Sequence, residues 1–199
     1  MKVWREDREI VSEGKRQLPA AIRIDRGTPD YPATLASRLG DGAPEALVAL
    51  GDPALLGARR TALFCSARTP GDAILRAHDA SQRMRDEGVT VISGFHSPIE
   101  AECLHILLRG KQPIIICPAR AIEGMRIPPE CRPAFDNGRV LFLSPFAQGP
   151  ARITKRSATR RNDVVAALAD TAYVAHITPG GQTEQTAEQL RKWGVPIVN

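Results

Sequence analysis

Residues Arg160 to Glu184 read RRNDVVAALADTAYVAHITPGGQTE, and this stretch decides the fold. Val164, Val165 and Leu168 recur at helical spacing, and Arg161 lies on the same line one turn nearer the helix start, so it points along the packing face. Ala169-Asp170 closes that helix. Thr171 to Ile177 (TAYVAHI) is apolar on both faces, which suits a strand inside a parallel sheet better than a half-exposed one. The strand ends at Thr178-Pro179-Gly180-Gly181, and a helix from Thr183 to Trp193 follows. In a parallel α/β sheet, a helix that leads into a strand begins at the carboxyl edge, and a loop that leaves a strand lies there too. Arg161 and the Pro-Gly-Gly turn are therefore expected to converge on the crevice where such folds take ligands.

Outward from this stretch, strand and helix alternate from Arg60 to Asn199. Strands are expected at Ala62 to Cys65, Val89 to Ile92, Pro113 to Cys117, Val140 to Leu143 and Val195 to Val198. Helices are expected from Asp72 to Glu87 and from Ile99 to Leu108, with a proline-rich crossover of one helical turn before Val140. This regularity predicts an α/β, Rossmann-like doubly wound, mainly parallel sheet with a short N-terminal extension. The division is residues 1–58 as arm and lead-in and 59–199 as the Rossmann-like domain. Residues 1–30 carry seven basic and six acidic groups without a clean period, and read as a mobile or loosely docked arm. Tyr31-Pro32, then Leu35 and Leu39, predict a short helix, and Leu47 to Leu50 a short strand before the Gly51-Asp52-Pro53 turn.

With 199 residues, 43% hydrophobic and 25% charged, one core is expected. No apolar run approaches membrane-spanning length, and the first residues mix both charge signs, so a cytoplasmic protein without a membrane partner is expected. Cys65, Cys103, Cys117 and Cys131 form no CxxC pair and read as reduced, buried thiols. The net charge is +5, and Arg152, Lys155, Arg156, Arg160 and Arg161 against Asp163 place +4 of it in residues 151–163. Such a run is either a solvated face or a footprint for phosphates.

Four loops fall at the predicted carboxyl edge: SARTPG, SGFHSP, the basic approach to Arg161-Asn162, and TPGGQT. Small residues let backbone approach a ligand, and helix starts offer unpaired N–H groups to an anion. The implied ligand bears phosphate, and the candidate contacts are Ser66, Arg68, Ser93, Gly94, His96, Lys155, Arg156, Arg160, Arg161, Asn162, Gly180, Gly181 and Thr183. Neither GxGxxG nor GxxxxGK[ST] is present, which removes the main support for dinucleotide binding and P-loop hydrolysis. No metal-ligand spacing and no nucleophile, base and orienter trio can be assembled, so no cofactor and no catalytic residue are assigned. Glu100 and Glu184 sit near helix starts, where carboxylates also stabilise the dipole. His176 reads as a near-core histidine in its strand, and His105 as a packing residue.

These motifs together resemble the DNA-processing protein A (Smf) family of single-strand DNA-binding recombination mediators of natural transformation. The resemblance covers residues 31–199, as a divergent core-only member. Tyr31-Pro32 with Leu35, Leu39 and Gly51-Asp52-Pro53 is similar to the family's lead-in. Ser66-Ala67-Arg68 is similar to its G-S-R loop with the glycine lost. SGFHSPIE keeps Ser93, Gly94 and Ile99 of its second loop but has Pro98 for a glycine and Glu100 for the acid. Arg161-Asn162-Asp163 stands where the family has R-N-R. The resemblance implies single-stranded DNA or a nucleotide-derived ligand bound at Arg68, Ser93, Gly94, Arg161 and Asn162, a recombinase partner and no established chemical step. It also implies a homodimer, for which the apolar last strand offers a sheet edge. An alternative comes from PGGQTE, which is similar to the PGGxGTxxE signature of lysine-decarboxylase-like phosphoribohydrolases, although its second Gly-Thr pair is compressed. A nucleotide-sensing module on the same fold is the third reading.

Overall fold

The computed structural model describes residues 20–66, 69–148 and 153–198. Six parallel strands form its centre: β3 (Arg60–Phe64), β4 (Thr90–Ser93), β5 (Ile114–Ile116), β6 (Val140–Ser144), β7 (Thr171–Val174) and β8 (Ile197–Val198). The lead-in supplies two more, β1 (Ile22–Asp25) and β2 (Ala46–Leu50), paired antiparallel to each other and, through β2, to β6. The full order is β1-β2-β6-β5-β4-β3-β7-β8. Chain order runs from β3 through β4 and β5 to β6 on one side, then crosses back to β7 on the other. The topological switch point therefore lies between β3 and β7, and its carboxyl edge is where a ligand crevice belongs.

Helices cover both faces. The strand residues alternate accordingly: Leu47 and Ala49 pack with one core, Val48 and Leu50 with the other. One core lies under α2 (Gly71–Asp86), α3 (Pro98–Leu108) and the short α4 (Arg132–Asp136). The other lies under α1 (Ala33–Leu39), α5 (Lys155–Leu168) and α6 (Gln182–Lys192). Val164, Val165 and Leu168 are fully buried in this second core, as their helical spacing requires.

Three elements differ from the sequence reading. β1 is absent from it, because only Ile24 of that strand is buried while Ile22 is 46% exposed, and a single inward side chain leaves no alternation to read. α5 begins at Lys155, well before its apolar period. Its start is set by a capping box in which Ser157 N donates to Thr154 Oγ1 (3.1 Å) and Thr154 N donates to Ser157 Oγ (2.9 Å). β7 stops at Val174, since Ala175 N donates to Phe64 O (3.0 Å) at the last residue of its neighbour β3. His176 therefore belongs to the following loop. The lead-in is tied to the rest by Arg38, whose Nη1 donates to the carbonyls of Ala167 (3.0 Å) and Ala169 (2.6 Å) at the otherwise unpaired end of α5.

Candidate nucleic-acid interface

At the switch point, the loops leaving β3 and β7 are joined by a hydrogen bond between the Ser66 and Thr178 hydroxyls (2.9 Å). Below it is a niche of about 220 Å³ lined by Ser66, Glu100, Asn162, Gln182, Thr183 and Thr186. Gly180 takes a positive φ of 68°, which glycine alone adopts freely, and its N–H donates to Glu184 Oε2 (2.7 Å). Gly181 passes so close to the Thr178 carbonyl that a Cβ there would lie 2.9 Å from its oxygen. Thr183 Oγ1 accepts from Thr178 N (3.3 Å). The turn is thus tightly built, and Glu184 is engaged in holding it. Arg68 lies outside the described residues.

The second loop is organised by Glu100, a buried carboxylate 7% exposed. Its Oε1 accepts from Cys65 N (3.1 Å), and its Oε2 from His96 N (2.9 Å) and Ser97 N (3.3 Å). One side chain thereby joins the end of β3 to the loop after β4. Ser93 is fully buried, donates from Oγ to Leu63 O (2.7 Å) and accepts from Phe95 N (3.3 Å). This bracing holds Phe95 at φ 46°, the positive-φ non-glycine residue of the described chain.

Arg161 is 4% exposed, and its Nη1 donates to Cys117 O (3.0 Å) while its Nε donates to Asn162 Oδ1 (2.7 Å). Its guanidinium lies on the Gly94 backbone. A Cβ built at Gly94 would sit 1.5 Å from Arg161 Nη1 and 2.0 Å from Cζ, so glycine is what makes the room. Burial pulls the Arg161 pKa below the usual guanidinium range, with the charge of Glu100 opposing that shift. Gly94, Phe95, His96, Arg120 and Arg161 line a cleft of about 540 Å³ beyond the ends of β4 to β6.

Of the basic residues before Arg161, Arg152 lies outside the described residues and the other three face elsewhere. Lys155 and Arg156 are exposed and Arg160 is half-buried, and with Phe146, Thr159 and Asp163 they line a third cleft of about 950 Å³. Thr159 Oγ1 donates to Gln182 Oε1 (2.8 Å), which links this cleft to the switch-point niche. Asp163 is the one carboxylate among the described residues lining the cleft, and burial raises its pKa while Arg160 opposes the shift. Among the described residues it makes no hydrogen bond and no salt bridge.

The single crevice expected from the sequence is thus three adjoining clefts on one sheet edge. Ser66, Asn162 and Thr183 line the first beside Gly180 and Gly181; Gly94, His96 and Arg161 line the second, with Ser93 beneath; Lys155, Arg156 and Arg160 line the third. Arg120 and Gln182 escaped the sequence reading. Arg120 stands in Cys117-Pro118-Ala119-Arg120, the loop after a predicted strand, and loop position was the signal that marks it. His105, expected to pack, is instead exposed on α3, and His78 Nε2 pairs with Glu102 Oε2 (2.8 Å) away from these clefts. All four cysteines are buried free thiols, and burial pushes Cys117 up to about 12. No cluster of three His, Cys, Asp or Glu able to hold a metal occurs among the described residues. No helix among them is long and apolar enough to cross a membrane.

Two solved structures share this architecture. DNA processing protein A (DprA) from Streptococcus pneumoniae superposes with a TM-score of 0.72 at 20% identity, over 92% of this chain and 62% of that one. DNA processing protein A from Helicobacter pylori, a protein with a single-stranded DNA binding mode, superposes with a TM-score of 0.70 at 18% identity, over 89% and 79%. This chain therefore spans less than two thirds of the Streptococcus protein. At such identities the likeness establishes the fold. No curated protein sequence matches significantly. The family profile for DNA recombination-mediator protein A, however, matches residues 23–198, from the first strand to the last, and the chain belongs to that family.

Proposed function

We propose that this protein binds single-stranded DNA at the carboxyl edge of its sheet and acts as a DNA-processing or recombination-mediator module without a chemical step of its own. The observation that carries this reading is the third cleft, where Lys155, Arg156 and Arg160 present cations beside the ligand-facing loops of the fold. Phosphates need fixed cations to displace their counterions, and a cleft concentrates that field. Arg161 plays a different part: its Nε and Nη1 are engaged by Asn162 and Cys117, so it shapes the floor between the clefts while the other three meet phosphate. Family membership supports the reading, and we extend the proposal to a recombinase partner, a homodimer and a cytoplasmic location.

Glu100 and Glu184 both accept backbone N–H groups, which disfavours either as a general base for cleaving nucleotides. The test is a titration of labelled 20-mers by fluorescence anisotropy, with nucleoside monophosphates incubated in parallel. Single strands should bind more tightly than the matching duplex, and no free base should appear. Turnover of a monophosphate, or no binding of single strands, would overturn the proposal.

A further inference from the structure

Asp163 is out of place in a surface that only attracts phosphate. It sits half-buried on α5, three residues after Arg160, in the wall of the cleft that Lys155, Arg156 and Phe146 also line. One turn of helix separates it from Arg160, yet no salt bridge forms, and its carboxylate has no hydrogen-bond donor among the described residues. A half-buried carboxylate that only water can satisfy, at the mouth of a cleft, is costly, and it repels the phosphates that its neighbours draw in. Both penalties are relieved when a bound ligand places N–H groups against it.

Resting on the single-strand binding proposed above, we infer that this cleft takes one nucleotide of the strand and that Asp163 reads its base, favouring guanine. The strand's phosphates and deoxyribose ring oxygens only accept hydrogen bonds, so donors must come from a base edge, which is free in a single strand. Guanine presents two adjacent donors, N1–H and the N2 amino group, matching the two oxygens of a carboxylate. Cytosine and adenine offer one amino donor beside a ring-nitrogen acceptor. Thymine places its N3–H between two carbonyl oxygens that would face the negative charge. Phe146 supplies the aromatic side chain of the same wall, against which any base can pack. Lys155, Arg156 and Arg160 hold the backbone on either side. Phosphate contacts then position the strand while Asp163 adds the sequence preference.

The experiment compares dT 20-mers carrying four evenly spaced dG, inosine or dC residues with all-dT and all-rU strands. Wild-type protein and the Asp163→Asn and Asp163→Glu variants are titrated by anisotropy at one salt concentration. Wild type should bind the dG strand roughly tenfold more tightly than all-dT, from the discrimination a two-bond base contact provides. Inosine, which lacks the N2 amino group, should lose most of that gain. Asp163→Asn should erase the dG preference while binding all-dT more tightly, because a like-charge repulsion is gone, and Asp163→Glu should retain part of the preference. GMP but not TMP should compete with the dG strand, which shows that the base is read without its strand. Equal affinity for dG and dT strands, or a dG preference that survives Asp163→Asn, overturns the inference and leaves single-strand binding standing. An rU over dT preference that depends on Asp163 overturns it in favour of a ribose hydroxyl as the donor. Failure to bind any strand overturns both readings. Should Asp163→Asn not fold, the dG, inosine and dT comparison on wild type still decides.

Discussion

Gly94→Ala isolates the packing between Arg161 and the loop after β4. The φ of Gly94 is not in the left-handed region, so alanine meets no left-handed strain there and, by restricting the unfolded chain, would alone favour folding by about 0.4–1 kcal/mol; any loss is therefore steric. The new Cβ would lie 1.5 Å from Arg161 Nη1 and 2.0 Å from Cζ, which forces the guanidinium off the backbone and away from Cys117 O. Overpacking of this kind costs about 1–3 kcal/mol. For a domain of this size that is a loss of roughly 2–4 °C in melting temperature per kcal/mol. Arg161→Ala alone should also destabilise, because it removes a charge-assisted hydrogen bond worth about 1.5–3 kcal/mol and leaves buried Glu100 without a nearby cation. In the double variant the clash has no partner, so its stability should match or slightly exceed that of Arg161→Ala. Urea denaturation of the four proteins gives the coupling energy, expected to be opposite in sign and about equal in size to the Gly94→Ala cost. If Gly94→Ala is as stable as wild type, or if the two losses simply add, Arg161 does not rest on Gly94 as described.

Two further outcomes follow from the carboxylates. Glu100→Gln turns an acceptor of three backbone N–H groups into one that points an amide N–H₂ at some of them, and should cost about 2–3 kcal/mol in urea denaturation; a cost within measurement error would contradict its joining role. Burial raises the Asp163 pKa, so its charged form is disfavoured in the folded state and its protonated form favoured. Stability from this group is present below the unfolded value and lost as pH rises through the raised folded one. Asp163→Asn should therefore raise the melting temperature at neutral pH, with a gain that shrinks on acidification, and a gain that grew towards acid would refute the shift.

The architecture was legible because its core strands and helices carry strong periodicity. Ile114 to Ile116 and Val140 to Leu143 are apolar on both faces, and Val164, Val165 and Leu168 mark the buried side of α5 without ambiguity. What escaped lacked such a signal. β1 buries one side chain, and its pairing with β2 depends on tertiary context. The basic first turns of α5 have no apolar period, so only the Thr154–Ser157 box could have placed the start at Lys155. At the sheet edge, topology alone brings the described parts of these loops to one side. Their division into three clefts was not legible, because it arises from Glu100 bracing one loop and Arg161 filling the space over Gly94, and neither contact follows from residue spacing. Arg161 lay on the packing line as its spacing required, but which polar partners it meets is a long-range property of Cys117 and Gly94.

The central claim is that Lys155, Arg156 and Arg160 hold the phosphates of a single strand, and the dependence of affinity on salt measures it directly. Each phosphate contact on a single strand contributes about 0.7 to the slope of log affinity against log salt. Replacing all three residues by alanine should flatten the wild-type slope by roughly two, from three such contacts, with circular dichroism showing the fold intact. An unchanged slope in a folded triple variant would show that this basic run is a solvated face and that the strand is held elsewhere.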